Sequence, residues 1–230
     1  MALRVTFLLG ELDRSTAAPV PVIALTLARM FTRDFFTTAY EGAAPPWDIG
    51  RPQRDLVAAF DELRISGSAI DLGCGTGEHV LELARRGGDA GGVDATLAAI
   101  EAARGKAAER GLSATFVHGD ALDLAALGRR FDTVLDCGLF HVISEEERRR
   151  YVAELAHVLG AGGRFLMLGF ATSRIDQGPR GYSPEELRGY LAGFREVFVR
   201  PAAYEVRPGM LPIDDARGGM PAWVSLFERA

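Results

Sequence analysis

The sequence predicts an α/β fold in which a mostly parallel sheet is covered by helices on both faces. Apolar segments of strand length alternate with helical segments along most of the chain, which is the pattern of a parallel sheet. A turn with glycine at every second position follows the first strand, within AIDLGCGTGEHV at residues 69–80. Ligands of such sheets bind beyond the carboxyl ends of the strands, so this turn is predicted to border a binding crevice.

Each element of the pattern has its own signal. The helices over residues 78–86 and 96–110 are closed by glycine. Two later helices begin at Ser144 and Ser183, each followed three residues on by the glutamate of a capping box. The first strand is predicted at residues 69–72, and the second ends at residue 94. The remaining strands are predicted at 115–118, 131–136, 164–170, 197–206 and 223–227.

The composition is that of one soluble domain. The chain has 230 residues, of which 48% are hydrophobic, enough for a single sizeable core. Its net charge of −5 argues against a nucleic-acid partner, which requires a basic surface. Two cysteines and the lack of an apolar run of membrane-spanning length predict a protein of the reducing cytoplasm without membrane association.

The glycine turn and an acid after the second strand indicate a nucleoside ligand. Gly73, Gly75 and Gly77 allow a ligand to approach the backbone closely at the start of a helix. Asp94 ends the second strand, where a carboxylate can accept hydrogen bonds from both hydroxyl groups of a ribose.

The spacing of the turn differs from that of a dinucleotide site. The pattern G-x-G-x-x-G places its third glycine one residue later than Gly77, at the position that Glu78 occupies here. Asp71 and Glu78 flank the turn, and two acids disfavour a pyrophosphate. A nucleoside with a positive charge is therefore predicted.

S-adenosylmethionine is such a nucleoside, and the chain resembles the class I S-adenosylmethionine-dependent methyltransferases. The matching segments are DLGCGTG at 71–77, VD at 93–94, GDA at 119–121, FDTVLDCGLFHVI at 131–143 and LGAGG at 159–163. The resemblance implies a Rossmann-like three-layer sandwich with a seven-stranded, mostly parallel sheet and an antiparallel C-terminal hairpin. It also implies S-adenosyl-L-methionine as the cofactor.

The resemblance further implies a role for individual residues. Asp71 and the three glycines of the turn are expected to hold the methionine end of the cofactor. Asp94 is expected to hold the ribose, and Asp120 with Ala121 the adenine. Cys137 is expected to border the pocket in which the methyl group is transferred.

The segment before the core resembles a narrower group. APPWDIGRPQRD at 44–55 is similar to the tryptophan-containing segment of thiopurine methyltransferase-like enzymes, which include thiol, halide and phenol or quinol methyltransferases. Trp47 is expected to offer an aromatic face to the cofactor, and Gly50 and Arg51 to shape the opening of the site. The alternative is that Trp47 only plugs the edge of the core.

His141 follows the fourth strand, where the methyl acceptor is expected to lie. It is predicted to be the catalytic residue, acting as a base for acceptors that do not ionise unaided, and the alternative is a packing role. A metal site can also be drawn from Cys74, Cys137, His79 and His141. Its spacing is unlike that of structural zinc sites, so no metal is predicted.

The sequence motifs divide the chain into predicted parts. Residues 1–29 are interpreted as an N-terminal extension that is not native or is poorly ordered, because Met30 and the following FTRDFF resemble a translation start. Residues 30–230 are predicted to form a single methyltransferase domain. Its parts are a cofactor-covering segment, a cofactor-binding core, and the acceptor loops with the final hairpin, at 30–68, 69–170 and 171–230.

The sequence thus predicts a methyltransferase that transfers a methyl group to sulfur or phenolic oxygen of a small molecule by in-line displacement. Two alternatives are a nucleotide-dependent oxidoreductase and a non-catalytic S-adenosylmethionine-binding protein. The expected partner is a small-molecule methyl acceptor, and the expected assembly is a monomer or a weak homodimer.

Overall fold

The computed structural model describes residues 32–42, 44–171, 180–208 and 218–230, so the predicted extension at 1–29 lies outside the described residues. The helices are α1 (Arg33–Glu41), α2 (Arg54–Leu63), α3 (Glu78–Arg85), α4 (Leu97–Glu109), α5 (Glu145–Val158) and α6 (Pro184–Tyr190), with a 3₁₀ turn at Leu124–Leu127. The strands are β1 (Ser68–Leu72), β2 (Asp89–Asp94), β3 (Thr115–His118), β4 (Phe131–Cys137), β5 (Leu159–Phe170), β6 (Phe194–Tyr204) and β7 (Met220–Arg229).

The strands form one seven-stranded sheet in the order β3-β2-β1-β4-β5-β7-β6. Strands β1 to β5 are parallel to one another, and β7 is antiparallel to both of its neighbours. The prediction of a mostly parallel sheet with an antiparallel C-terminal hairpin is therefore confirmed. No helix in the described part of the chain is long and apolar enough to cross a membrane.

Helices cover both faces of the sheet. On one face, α2, α3 and α4 bury side chains such as Phe60, Leu81 and Ile100 against the strands. On the other face, α5 and α6 do the same with Tyr151 and Leu187. Each of these side chains contributes roughly 1.5–3 kcal/mol through burial, so the two apolar layers hold the sandwich together.

The boundaries of strands β5, β6 and β7 differ from the prediction by more than one residue. Strand β5 begins at Leu159 rather than at residue 164, because Leu159 pairs with Phe131 across a register shift in β4. The glycine-rich segment 160–163 is thereby included in the strand, with Gly162 at a φ of 73°. Strand β6 is shifted towards the N-terminus, at 194–204 instead of 197–206, and β7 extends beyond the predicted 223–227 at both ends, because the two strands pair along almost their whole length.

The register of β1 against β4 determines which side chains share a face. Asp71 pairs with Leu135, and Leu72 pairs with Asp136. Successive side chains of a strand point to opposite faces. Asp71 and Cys137 therefore lie on the face covered by α2, α3 and α4, whereas Asp136 lies on the face covered by α5.

Candidate cofactor site

The glycine turn after β1 is built so that side chains cannot be accommodated. Gly73, Gly75 and Gly77 have φ values of 72°, 52° and 84°, a region that favours glycine. A Cβ atom at Gly77 would lie 2.7 Å from the ring of Phe116. The amide groups of Gly73 and Cys74 both donate to the carbonyl oxygen of Val93, at 2.8 and 3.0 Å, which ties the turn to β2.

Asp71 is a buried carboxylate beside this turn. Its side chain is 1% exposed, and neither oxygen has a hydrogen-bond partner among the described residues. A carboxylate in such surroundings is unfavourable unless a donor satisfies it. The geometry of Asp71 is therefore that of a group prepared for a ligand with hydrogen-bond donors or a positive charge.

Glu78, the second acid at the turn, is neutralised inside the protein. Lys106 Nζ lies 2.8 Å from one of its oxygens, and Arg110 binds both oxygens at 2.8 and 2.9 Å. Although burial opposes the effect, these two cations lower the pKa of Glu78. The expectation that Glu78 attracts a cationic ligand is therefore not supported, and Asp71 and Asp94 are the acids at the turn that have no Lys or Arg partner among the described residues.

Asp94 lies at the end of β2 and closes the other side of the turn. Its two oxygens accept hydrogen bonds from the amide groups of Gly75 and Thr96, at 2.9 and 2.8 Å. Burial raises the pKa of Asp94, and these hydrogen bonds oppose the rise. Each carboxylate oxygen can accept a further hydrogen bond, so Asp94 is able to bind a hydroxyl group as well.

Helix α1 lies over the turn and narrows the crevice. The Tyr40 hydroxyl accepts a hydrogen bond from Trp47 Nε1 at 3.0 Å, and a Cβ atom at Gly75 would lie 2.7 Å from it. At the other end of α1, Arg33 forms an ion pair with Asp120. The crevice has a volume of about 60 Å³, well below the roughly 300 Å³ at which ligand pockets begin.

The segment between α1 and α2 lines the crevice as well. Gly50 donates its amide hydrogen to Asp48 at 3.1 Å, and Arg51 binds both oxygens of Glu205 at 2.9 and 3.0 Å. Trp47 is half-buried at the edge of the core and contacts Phe35, Phe36 and Tyr40. Trp47 packs at the edge of the core and also lines the crevice, and its expected contact with the cofactor stays a prediction.

The end of β4 is organised by Asp136. Its carboxylate accepts hydrogen bonds from the amide groups of Leu139 and Phe140 and from the Tyr151 hydroxyl, at 3.0, 3.1 and 3.0 Å. Burial raises the pKa of Asp136 to about 7. These bonds set the path of the chain after Cys137, whose side chain lines the crevice from the opposite face of the strand.

His141 lies behind the crevice. Its ring stacks on Phe170 at a centroid distance of 4.3 Å, and its Nδ1 accepts a hydrogen bond from the Phe170 amide at 3.4 Å. The neutral ring therefore carries its proton on Nε2. Burial and the neighbouring Arg148 lower the pKa of His141 to about 3. This geometry favours the packing role over the role of a base.

The four residues of the alternative metal site do not gather at one point. His79 faces Asp71, whereas His141 stacks on Phe170. No group of three or more metal-ligating side chains is found within the described ranges. The alternative of a two-cysteine, two-histidine site therefore has no structural support.

A larger cavity lies at the opposite edge of the sheet. It has a volume of about 510 Å³ and is bordered by Arg64, Arg130, Asp132 and Arg164, near the amino ends of β4 and β5. Ligands of parallel sheets bind at the carboxyl ends of the strands. Because the unpaired carboxylate and the glycine turn are at that other edge, the smaller crevice is the candidate site.

Six of the residues predicted from the sequence line the crevice: Trp47, Arg51, Gly73, Gly75, Gly77 and Cys137. Asp94 lies beside it, bonded to Gly75, and Asp71 is buried next to the turn. The others are not part of the lining: Gly50, Asp120 paired with Arg33, Ala121 at the core edge, and His141 stacked on Phe170. Four residues at or near the crevice were not predicted from the sequence: Tyr40, Gln53, Asp136 and Tyr204. Of these four, Asp136 alone had a signal in the sequence, because an acid next to the end of a strand lies near the binding edge of the sheet.

Comparison with known proteins identifies the family. A family profile described as a methyltransferase domain matches residues 69–163. A 2-heptyl-1-hydroxyquinolin-4(1H)-one methyltransferase of Mycobacteroides abscessus is 35% identical over 176 residues, which are 72% of this chain and 78% of the relative. The chain belongs to the class I S-adenosylmethionine-dependent methyltransferases. It is a small-molecule methyltransferase, and the alternative of an oxidoreductase is wrong.

Two solved structures are similar to this methyltransferase. One comes from a study of the conversion of a disulfide bond into a thioacetal group during echinomycin biosynthesis. It superposes with a TM-score of 0.76 at 33% identity and covers 86% of this chain and 93% of that chain. The other is 1,6-didemethyltoxoflavin-N1-methyltransferase of Burkholderia thailandensis with bound S-adenosylhomocysteine. It has a TM-score of 0.67 at 20% identity and covers 95% and 93% of the two chains, which is a likeness of fold.

The cofactor of the methyltransferase is S-adenosyl-L-methionine. The donor and acceptor groups of the crevice fit this molecule. The unpaired Asp71 suits the amino group of a methionine, and the free acceptor positions of Asp94 suit ribose hydroxyls. The crevice is smaller than this cofactor, and the Tyr40 hydroxyl lies over Gly75 within it.

Proposed function

We propose that this methyltransferase transfers a methyl group to sulfur or oxygen of a small aromatic acceptor that loses its own proton readily. The observation that carries the proposal is that no described side chain at the transfer end of the crevice is free to act as a base. S-adenosyl-L-methionine supplies an electrophilic methyl group when bound. The chain has to orient the acceptor in line with that group and exclude water.

The titratable groups near Cys137 support this view. Burial raises the pKa of the Cys137 thiol and of the Tyr204 hydroxyl, so both stay protonated at neutral pH. The His141 lone pair at Nδ1 is used by the Phe170 amide. The acceptors that need no base are those with a lowered pKa, such as thiols, acidic phenols and N-hydroxyl groups.

Aromatic side chains beside the crevice favour a flat acceptor. Tyr204 packs on Phe170 at a centroid distance of 4.7 Å and on His141 at 6.0 Å. Rings of this kind present flat faces and edges to an aromatic ligand. The relative of Mycobacteroides abscessus is named for a hydroxyquinolone, and the echinomycin study concerns sulfur chemistry. Both are in keeping with an aromatic or sulfur acceptor.

We also propose which residues contact the cofactor. Asp71 with the glycine turn holds the methionine end, Asp94 the ribose, and Asp120 with Ala121 the adenine. Arg33 has to release Asp120 for this last contact. Trp47 and the residues that follow it form the cover of the site, which supports membership in the thiopurine methyltransferase-like group.

Three further expectations remain part of the proposal. The methyltransferase acts as a monomer or a weak homodimer in the cytoplasm. It acts on small molecules rather than nucleic acid, in keeping with its net charge of −5. The competing function is a protein that binds S-adenosylmethionine without turnover.

The test combines binding with a series of acceptors. Calorimetric titration with S-adenosylhomocysteine is expected to give binding, and turnover is then measured by mass spectrometry with 1-hydroxyquinolin-4-ones, quinols and aryl thiols of graded pKa. If the acceptor ionises unaided, the midpoint of the pH–rate profile follows the pKa of each acceptor. A midpoint that is the same for all acceptors would indicate a base in the protein. Binding without any turnover would support the competing function.

A further inference from the structure

His79, in the first turn of α3, faces the buried carboxylate of Asp71. Its Nδ1 lies 3.4 Å from Asp71 Oδ2, and its side chain is 12% exposed. Within the described ranges it is the one ion-pair partner that lies within 4.0 Å of Asp71. His79 is therefore the described side chain that is best placed to act on the orientation of Asp71.

The opposite nitrogen of His79 is held by the backbone. The amide group of Gln53 donates to Nε2 at 3.1 Å. A nitrogen that accepts a hydrogen bond does not carry a proton, so the ring proton is on Nδ1, towards Asp71. Burial lowers the pKa of His79, whereas the neighbouring Cys137 and Asp71 raise it. A fully protonated ring would place a hydrogen on Nε2 against the Gln53 amide hydrogen, so the hydrogen bond favours the neutral ring.

The residue that holds His79 is itself fixed. The Gln53 side chain donates to the Glu205 carbonyl oxygen at 2.9 Å and accepts from the Glu205 amide at 2.8 Å. The Glu205 carboxylate in turn binds Arg51. His79 is thus anchored on both sides, which suits a residue that orients a neighbour and does not suit one that exchanges protons with a substrate.

We propose that His79 is a positioning residue that holds the Asp71 carboxylate towards the amino group at the methionine end of the cofactor. The inference rests on the assignment of Asp71 to that end in the proposed function. A buried carboxylate without a polar partner is costly and turns away from the site. His79 opposes this, because its ring is held by the Gln53 amide with Nδ1 3.4 Å from Asp71.

The experiment compares two ligands that differ at the methionine end. In His79→Phe, the Kd of S-adenosylhomocysteine is expected to rise about tenfold, the effect of one lost hydrogen bond to a charged group. The Kd of 5′-methylthioadenosine, which lacks the amino acid part, is expected to change less than about twofold. The KM for S-adenosyl-L-methionine rises while kcat is retained. His79→Gln restores most of the affinity, since an amide can donate to Asp71 and accept from Gln53.

Two controls separate the possible outcomes. His157→Phe, at an exposed position of α5, is expected to change neither Kd. Equal losses for both ligands, or no rescue by His79→Gln, would overturn the positioning role in favour of a structural one. If Asp71→Asn leaves the affinity for S-adenosylhomocysteine unchanged, the assignment of Asp71 itself fails. If Asp71→Asn weakens binding and His79→Phe does not, the role of His79 alone is overturned.

Discussion

The hydroxyl group of Tyr40 lies against Gly75, 2.7 Å from the place that a Cβ atom at this glycine would occupy. Tyr40 belongs to α1 and Gly75 to the turn after β1, so this contact closes the crevice between two parts of the chain. The Trp47 indole donates to the same hydroxyl group and holds it in position. Access of the cofactor to the glycine turn is therefore linked to the position of α1.

Tyr40→Ala is expected to speed cofactor binding. Removal of the ring takes away the obstacle above Gly75, and the association rate of S-adenosylhomocysteine should rise about fivefold, as expected when a lid limits binding. Stopped-flow fluorescence of Trp47 can report the rate. An unchanged association rate would show that the helix does not limit access. Thr38→Ala, at an exposed position of α1, is the control for a general loosening of the helix.

Gly75→Ala is expected to abolish cofactor binding. The φ of 52° costs a side chain about 1–2 kcal/mol, and the new methyl group occupies the floor of the crevice. Gly105→Ala serves as the matched control, because nothing lies within 4 Å of its Cβ position in α4. That substitution should stabilise the protein by about 0.5–1 kcal/mol and leave binding unchanged. Calorimetry and thermal unfolding of both variants measure these effects.

Asp94→Ala is expected to remove cofactor binding without unfolding the protein. The loss of two amide hydrogen bonds costs about 1–3 kcal/mol of folding stability, and the ribose loses its acceptor. Titration with S-adenosylhomocysteine measures the affinity, and circular dichroism confirms the fold. An affinity equal to that of the wild type would remove the ribose assignment.

His141→Phe tests the choice between packing and base catalysis. Because His141 is neutral and its Nδ1 is occupied, turnover of an acidic thiol and of a weakly acidic phenol should fall by the same factor. Rates for both acceptors at one pH provide the comparison. A selective loss with the phenol would restore the role of His141 as a base.

Asp136 is expected to make stability depend on pH. Its pKa is about 7 in the folded protein and is raised from an ordinary value of 3.8. The stability that its protonated form contributes is complete below pH 4 and is lost as the pH rises through 7. In Asp136→Asn this dependence should disappear, because the amide can serve the same partners without a charge. Denaturant unfolding at several pH values measures the difference from the wild type.

Asp136→Ala provides the contrast to that variant. It leaves the Leu139 and Phe140 amides and the Tyr151 hydroxyl without their acceptor, at a cost of about 2–4 kcal/mol. If alanine and asparagine had the same effect, the hydrogen bonds of Asp136 would not be what orders the chain after β4.

The sequence allowed the core of the fold to be predicted, because strand and helix periodicity and glycine spacing are local signals. The positions of Asp71 and Asp94 at the ends of β1 and β2 follow directly from them. The cover of the crevice could not be predicted in this way. Contacts such as Arg33 with Asp120 depend on how a segment folds back over the sheet, and no local pattern encodes that.

The pairing of the charged residues at the crevice could not be predicted from the sequence either. In the sequence, Asp71 and Glu78 are both acids beside the turn. In the structure, Lys106 of α4 and Arg110 at its end pair with Glu78 and not with Asp71. The difference between an available acid and a neutralised one arises from the packing of one helix against another. Asp71, which lies inside the sheet, has no Lys or Arg partner among the described residues.

The order of the strands has a consequence for biosynthesis. Strand β7 is the last strand in the described chain, yet it lies between β5 and β6 and pairs with both. During synthesis on the ribosome, one edge of β5 therefore stays unpaired until residues 220–229 have emerged. A nascent chain that stalls before this point exposes an apolar, unpaired strand, which is a template for aggregation and a target for chaperones.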